Sequence, residues 1–452
     1  MFVRSKNYEI DMLNSPIFKS LLLLTIPLII SNVFQLLFNA ADVIVVGKIA
    51  GDIYLAAVSS TTHLINLLTN IFTGLAVGVN VYVARLIGEN NKDKISAALH
   101  SSILFGILIG IISTLIGLFA ARPLLEITGC PDEIIDLAIT YLRIYFLGMP
   151  SMLVYNYAAG ILRAKGDTKR PLYFLVIAGI VNVVLNIIFV AVFKLHVIGV
   201  ALATIISQSL SAILTLFILA KENDEFKFFI SKMKLEKESL KEIIRIGLPA
   251  GIQNSMFAIS NVVIQAYINS FGTAVIAGSG AAHSAESFAN GTITALLMAT
   301  MTYVSQNYGA KNYKRINKTV LYSYLLSTIF CLFFVFVTYF FGEAFLSLYS
   351  NSPEVIEQAL IRFRLTMYTY IFFALMQMMA GALRGIGYSI VPAFTCLFFV
   401  CGIRLFLIIF VFNKYINFFY VMLTYPISWA VTWIILLVAF IIIMRRMAIL
   451  NN

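Results

Sequence analysis

The sequence predicts an all-α polytopic membrane protein, with twelve transmembrane helices in two six-helix bundles of parallel topology. Three observations carry that reading. The 452-residue chain is 60% hydrophobic and only 12% charged, against ~25% charged residues in a soluble domain. Apolar stretches of about 20 residues, the length that crosses a ~30 Å hydrocarbon core, recur from end to end. The second half repeats the first: VARLIGENNKDKI from Val83 is echoed by VSQNYGAKNYKRI from Val304, a shift of 304 − 83 = 221 residues.

Apolar runs between charged or Gly/Pro breaks give the elements in order. Residues 1–16 form a polar tail that continues into a full span, so the first helix is expected to act as its own insertion signal rather than as a cleaved leader. Spans near Phe18–Val46, Tyr54–Val83, Ile95–Ala121, Ile134–Tyr157, Leu172–Phe193 and Ile198–Ala220 make an amino-terminal lobe, 17–220. A basic linker, 221–239, leads to a carboxy-terminal lobe, 240–446, followed by a short tail, 447–452. The second lobe holds spans near Leu240–Ile268, Val275–Val304, Val320–Phe341, Ile356–Leu383, Ile390–Phe412 and Phe418–Met444. An even number of spans returns the chain to the side on which it started.

The formal net charge of +11 sits in short connectors, so it reports orientation and gives no reason to expect a nucleic-acid partner. One side carries Arg4, Lys6, Arg85, Lys92, Lys94, Arg163, Lys165, Lys169, Arg170, the Lys221–Arg245 linker and Lys311–Lys318, whereas the other shows only Lys48, Arg122, Lys194 and Lys414. A multi-pass protein of the inner (plasma) membrane with both termini cytoplasmic is therefore expected. Cys130, Cys331, Cys396 and Cys401 show no CxxC spacing, so neither a disulfide framework nor a zinc site is indicated.

Other segments keep the repeat register. AGILRAKGDTKRP from Ala159 matches AGALRGIGYSIVP from Ala380, and Pro27 pairs with Pro249 after one slipped residue. Six spans per repeat give parallel copies, and such lobes are expected to enclose a cavity and to rock around it.

Of 21 acidic residues, all but Asp42 and Glu286 fall in tails, loops or helix ends. A charge at mid-bilayer costs roughly 2.5–3.5 kcal/mol on insertion scales, which marks both as functional candidates. Asp42 completes a stripe with Asn32, Gln35 and Asn39 on one helical face, and Asn254 and Asn261 repeat part of that stripe without the acid. Asn182, Asn186 and Thr204 complete a candidate cation-coupling cluster with Asp42. Carboxylate, amide and hydroxyl oxygens suit a hard cation such as Na+, while a buried carboxyl can also carry a proton. Packing and interhelical hydrogen bonding would use the same asparagines. Glu286 has His283 on its face and reads as a cavity residue or as half of a polar pair. Arg143, Arg362 and Arg364 read as snorkelling side chains, and Arg404 reads as half of a structural pair, with neutralisation of a carboxylate across the cavity as the alternative. Met376 and Gln377, near Tyr368 and Tyr370, suggest an adaptable cavity wall that could take organic cations, although ordinary packing accounts for them too.

Read together, TIPLIISNVFQLLFNAADVIVVG, VARLIGENNKDKI with its echo VSQNYGAKN, AGILRAKGDTKRP, NVVLNIIFV and GVALATIISQ make the chain similar to the multidrug and toxic compound extrusion (MATE) family, in its DinF-like bacterial branch. The resemblance covers nearly the whole chain. It implies a MATE-type fold, export of amphiphilic cations in exchange for H+ or Na+, and no further cofactor. It also implies that Asp42 is the first-helix acid and that Asn182 and Thr204 belong to the cation site. The sequence departs from many relatives at Asn186, where they carry a second aspartate. The expected partners are the lipid bilayer and small cationic amphiphiles, with the protein a monomer and not an enzyme. A lipid-linked flippase of the same superfamily and a major facilitator transporter are the alternatives, although the latter's GxxxDRxGRR loop is not matched by ARLIGENNKDK.

Overall fold

The computed structural model describes residues 8–411 and 417–450, and these are helical almost throughout. Arg4, Lys6, Phe412 at the end of the eleventh span, and Lys414 lie outside the described residues. In chain order the helices are α1 (Ile17–Val45), α2 (Asp52–Gly88), α3 (Lys92–Ile127), α4 (Asp132–Leu147), α5 (Met149–Ala164), α6 (Lys169–Ile187) and α7 (His196–Lys221). The second half gives α8 (Lys237–Ile268), α9 (Thr273–Gly309), α10 (Tyr313–Leu346), α11 (Pro353–Gly385), α12 (Ile390–Thr395), α13 (Ile403–Phe406) and α14 (Phe418–Leu450). Wider π-helical turns extend α1 and α6 and join α12 to α13. Counting α4 with α5 and α12 with α13 as interrupted columns gives the twelve expected.

Among the described residues, nine helices are long and apolar enough to cross a bilayer, and the α4–α5 pair makes a tenth. That pair was expected as one span; it bends by 44° at Gly148, where Pro150 starts the second helix. The two columns that fall short in apolarity, α8 and α9, are long at 32 and 37 residues but carry exposed polar side chains such as Asn254, Asn261, His283 and Asn290.

The duplication is written into the backbone. Asn91 caps α3 by accepting from the Lys94 amide, and Asn312 caps α10 by accepting from the Arg315 amide, each at 3.2 Å. The residues just before them, Asn90 and Lys311, have φ of 55° and 56°. Gly51 and Gly272, which open α2 and α9, repeat a φ of 107° and 94° that side-chain-bearing residues rarely adopt.

The chain divides into two compact units, residues 1–11 with 30–251 and residues 12–29 with 252–452. The first turns of α1 belong to the second unit and the first turns of α8 to the first, with Pro27 and Pro249 close to the two changeovers.

In the first unit, α8 lies against α2 through Gly74, Gly78, Gly247 and Gly251. A Cβ on Gly251 would stand 2.5 Å from the Ile71 carbonyl oxygen, and one on Gly247 would stand 2.6 Å from Leu75 Cα. Small residues four apart let the two backbones meet. Where α5 ends, Lys165 Nζ donates to Asp224 at 2.7 Å, Glu9 at 2.8 Å and Glu222 at 2.9 Å, and Arg170 bonds Asp167 and Glu222. Burial opposes the charge on Lys165, but its bonds to Asp224, Glu9 and Glu222 outweigh burial and hold its pKa above the ordinary lysine value. This cluster fastens the segment before α1 to the linker.

In the second unit, the segment ahead of α1 docks through Met12, whose carbonyl accepts from Asn307 and Arg315, both at 3.1 Å. The core lies between α9 and α11, where Met376, Met378 and Met379 are fully buried. Met376 is therefore a packing residue, which decides between the two readings its sequence left open and removes it from the candidate cavity wall.

Candidate functional site

The first unit gathers three of the expected residues. Asp42, half-buried in the last turns of α1, accepts a hydrogen bond from Asn186 Nδ2 on α6. The same amide donates to Asn182 Oδ1 at 3.2 Å, one turn back along the helix. Both asparagines are buried. Gly179, two turns before Asn186, has no side chain to keep the Phe38 ring away, so α6 approaches α1 closely enough for the amide to reach the acid. The hydroxyls of Tyr141 and Tyr145 on α4 lie within electrostatic range of the carboxylate. Sequence reading missed these tyrosines, although their four-residue spacing inside an apolar span was the available signal.

Thr204, the remaining expected member, makes no hydrogen bond to these three side chains among the described residues. Its hydroxyl donates to the Val200 carbonyl of its own helix at 3.0 Å, and it lies beside Tyr145, Met149 and Gln208. Along α1, Asn32 is half-buried while Gln35 and Asn39 are exposed.

One feature bears on cation binding. Asn186 Oδ1 is buried and has no hydrogen-bond partner. An amide's oxygen and nitrogen are exchanged by a half-turn of the side chain. Turned so, Asn186 Oδ1, Asn182 Oδ1 and the Asp42 carboxylate would present an oxygen set of the kind a hard cation takes.

The second unit treats its carboxylate differently. Glu286 on α9 is 8% exposed and is gripped by Arg362 of α11, itself 6% exposed. Arg362 Nε donates to Oε1 at 3.1 Å and Nη2 to Oε2 at 2.8 Å, while Nη1 donates to Ser279 Oγ at 2.7 Å. His283 Nδ1 lies 3.3 Å from Nη2. Glu286 is thus a two-pronged ion-pair partner and not an open cavity acid, and Arg362 does not snorkel. Arg404 donates to Ser428 Oγ at 3.0 Å with its guanidinium 4.2 Å from the Tyr425 ring centre, a structural pairing with no carboxylate in it. Asn254 and Asn261 are exposed on α8, and Gln377 on α11 is half-buried with Oε1 unpartnered.

Comparison with known proteins places this geometry in a family. Among curated proteins, the chain is 26% identical over 395 residues to the probable multidrug resistance protein YoeA of Bacillus subtilis (strain 168), covering 86% of this chain and 85% of that one. It is 24% identical over 375 residues to the multidrug export protein MepA of Staphylococcus aureus (strain MSSA476), covering 82% of each. A solved structure described as the outward-facing conformation of a multidrug resistance MATE family transporter of the MOP superfamily matches with a TM-score of 0.88 at 23% identity, over 97% of this chain and 98% of that one. The family model MatE matches twice, over residues 27–188 and 249–410, so both copies of the internal repeat carry it, and the chain belongs to the MatE family of multi-pass membrane transporters.

Proposed function

We propose that this chain is a secondary active antiporter that exports amphiphilic organic cations in exchange for protons or sodium ions, with Asp42, Asn182 and Asn186 as its coupling site. One observation carries the reading: Asp42 lies in a span and is held by a neutral amide, where Glu286 is held by a guanidinium. A carboxylate with a neutral partner gains most from a proton or a metal cation, because either one removes a charge that the membrane disfavours. The unpartnered Asn186 Oδ1 favours sodium as the ion, since a bound cation would complete that acceptor as well.

In the cycle, unoccupied Asp42 favours the state that captures substrate from the cytoplasm. Ion binding from outside favours the state that releases it. The two ligands need only prefer different conformations, and the larger the difference, the tighter the coupling. We place the protein as a monomer in the inner membrane with both termini cytoplasmic, in line with its basic connectors. Export of drug-like compounds is in line with the relatives, which are named as multidrug export and resistance proteins. The family match argues against a major facilitator transporter.

The test is uptake of a fluorescent organic cation by proteoliposomes under separately imposed proton and sodium gradients. We expect one gradient, with sodium favoured, to drive accumulation. If neither moves any cation, the drug-efflux reading falls and a lipid-linked substrate takes its place.

A further inference from the structure

The segment between α7 and α8 is held down on one face and bare on the other. Its backbone is pinned three times: the Phe228 amide donates to the Leu219 carbonyl at 3.0 Å, the Phe229 amide to His100 Nε2 at 3.0 Å, and the Glu236 amide to Ser101 Oγ at 3.1 Å. Phe226 and Phe228 are buried, the latter stacked on the His100 ring at 5.6 Å. Extended backbone alternates its side chains, so Phe229 points the other way. It is 39% exposed, and the next residue, Ile230, is 79% exposed. Leu235 adds a third bare apolar side chain.

Lysines surround these tips. Lys232 Nζ stands 4.8 Å and Lys227 Nζ 5.3 Å from the centre of the Phe229 ring, and Lys234 is exposed close by in sequence. Neighbouring acids are already paired with other lysines, Asp224 with Lys165, Glu225 with Lys92 and Glu238 with Lys94. Among the described residues, Lys227, Lys232 and Lys234 form no ion pair.

The pins also set the depth. Leu219 is in the last turn of α7, where Lys221 lies 4.1 Å from the ring centre of the exposed Phe217. His100 and Ser101 sit about two turns into α3, just ahead of the exposed Leu108, Ile111 and Ile112. Both helices present apolar surface to lipid immediately beyond the level of the linker, so the segment lies at the membrane surface.

We infer that residues 227–235 form a membrane-surface anchor whose partner is anionic phospholipid of the adjacent leaflet. Phe229, Ile230 and Leu235 enter the acyl boundary, while Lys227, Lys232 and Lys234 meet the phosphates. Because the same segment is bonded to α3 and α7 and leads directly into α8, lipid bound there steadies the start of α8.

The experiment uses the full-length transporter with Ile230→Trp, subtracting the wild-type signal of Trp429 and Trp433, in vesicles of phosphatidylcholine and phosphatidylglycerol with brominated chains on one lipid or the other. At equal bromine content, we expect at least twofold stronger quenching when phosphatidylglycerol carries the bromine. The excess should vanish in K227Q/K232Q/K234Q and persist in K227R/K232R/K234R, which separates charge from folding. Equal quenching by the two lipids would overturn the anionic selection. An excess that survives the glutamine variant would overturn the role of the lysines. No quenching by either lipid would place the segment off the bilayer, facing solvent or an acidic protein, and would overturn the anchor altogether.

Discussion

Each half of the molecule keeps a carboxylate within its spans, and each gives it a different partner. In the first unit Asp42 meets the amide of Asn186, a neutral group. In the second, Glu286 is clamped by both edges of the Arg362 guanidinium, which also binds Ser279. The contrast separates two uses of one chemical group. An acid with neutral partners can exchange a proton or a cation at small cost, whereas an acid in a two-pronged pair gives up its partner only at large cost. Duplication supplied two similar lobes, and the placement of one arginine leaves one acid among neutral groups and makes the other a tie between helices.

The comparison can be broken most forcefully at the clamp. Arg362→Gln leaves Glu286 buried and uncompensated, and we expect a loss of about 3–5 kcal/mol of stability, seen as early unfolding in detergent. The double variant Glu286→Gln with Arg362→Gln should recover most of that loss, because no charge is then left buried. A smaller effect is expected on the other side. Asn186→Leu removes the amide that holds Asp42, and a hydrogen bond to a charged group is worth about 1.5–3 kcal/mol, so ion-driven transport should fall roughly ten- to a hundredfold while the thermal unfolding profile changes little. Gly78→Val forces a side chain into the backbone of α8 and should cost about 1–3 kcal/mol by overpacking, read as a lower midpoint of thermal unfolding. Gly272→Ala, at φ 94° and ψ 170° with open space around it, should cost about 1–3 kcal/mol from backbone conformation alone, by the same readout.

Much of the fold was legible because a membrane imposes a coarse code. Apolar runs and basic connectors mark spans and turns, and the match between VARLIGENNKDKI and VSQNYGAKN exposed the duplication that Asn91 and Asn312 repeat as helix caps. The α4–α5 break was not read, since Gly148 and Pro150 sit inside a continuous apolar stretch and either is tolerated in a spanning helix. The changeovers of α1 and α8 between units were likewise hidden, because the glycines that permit the α2–α8 contact are matched across long sequence separation. At the site, the α6 asparagines were readable from their helical spacing to each other. Thr204 is less telling, because a threonine in a helix can satisfy its hydroxyl on the preceding turn. Arg362 was misread because a long side chain near a helix end can snorkel or turn inward, and the sequence does not show which carboxylate is within its reach.

The most direct test measures gradient-driven uptake of an organic cation in proteoliposomes, side by side for Asp42→Asn and for the Glu286→Gln, Arg362→Gln double variant, each confirmed as folded. The account predicts that Asp42→Asn loses coupled uptake while the double variant keeps most of it. Retained coupling in Asp42→Asn, or its loss in the folded double variant, would contradict the assignment of coupling to the first unit.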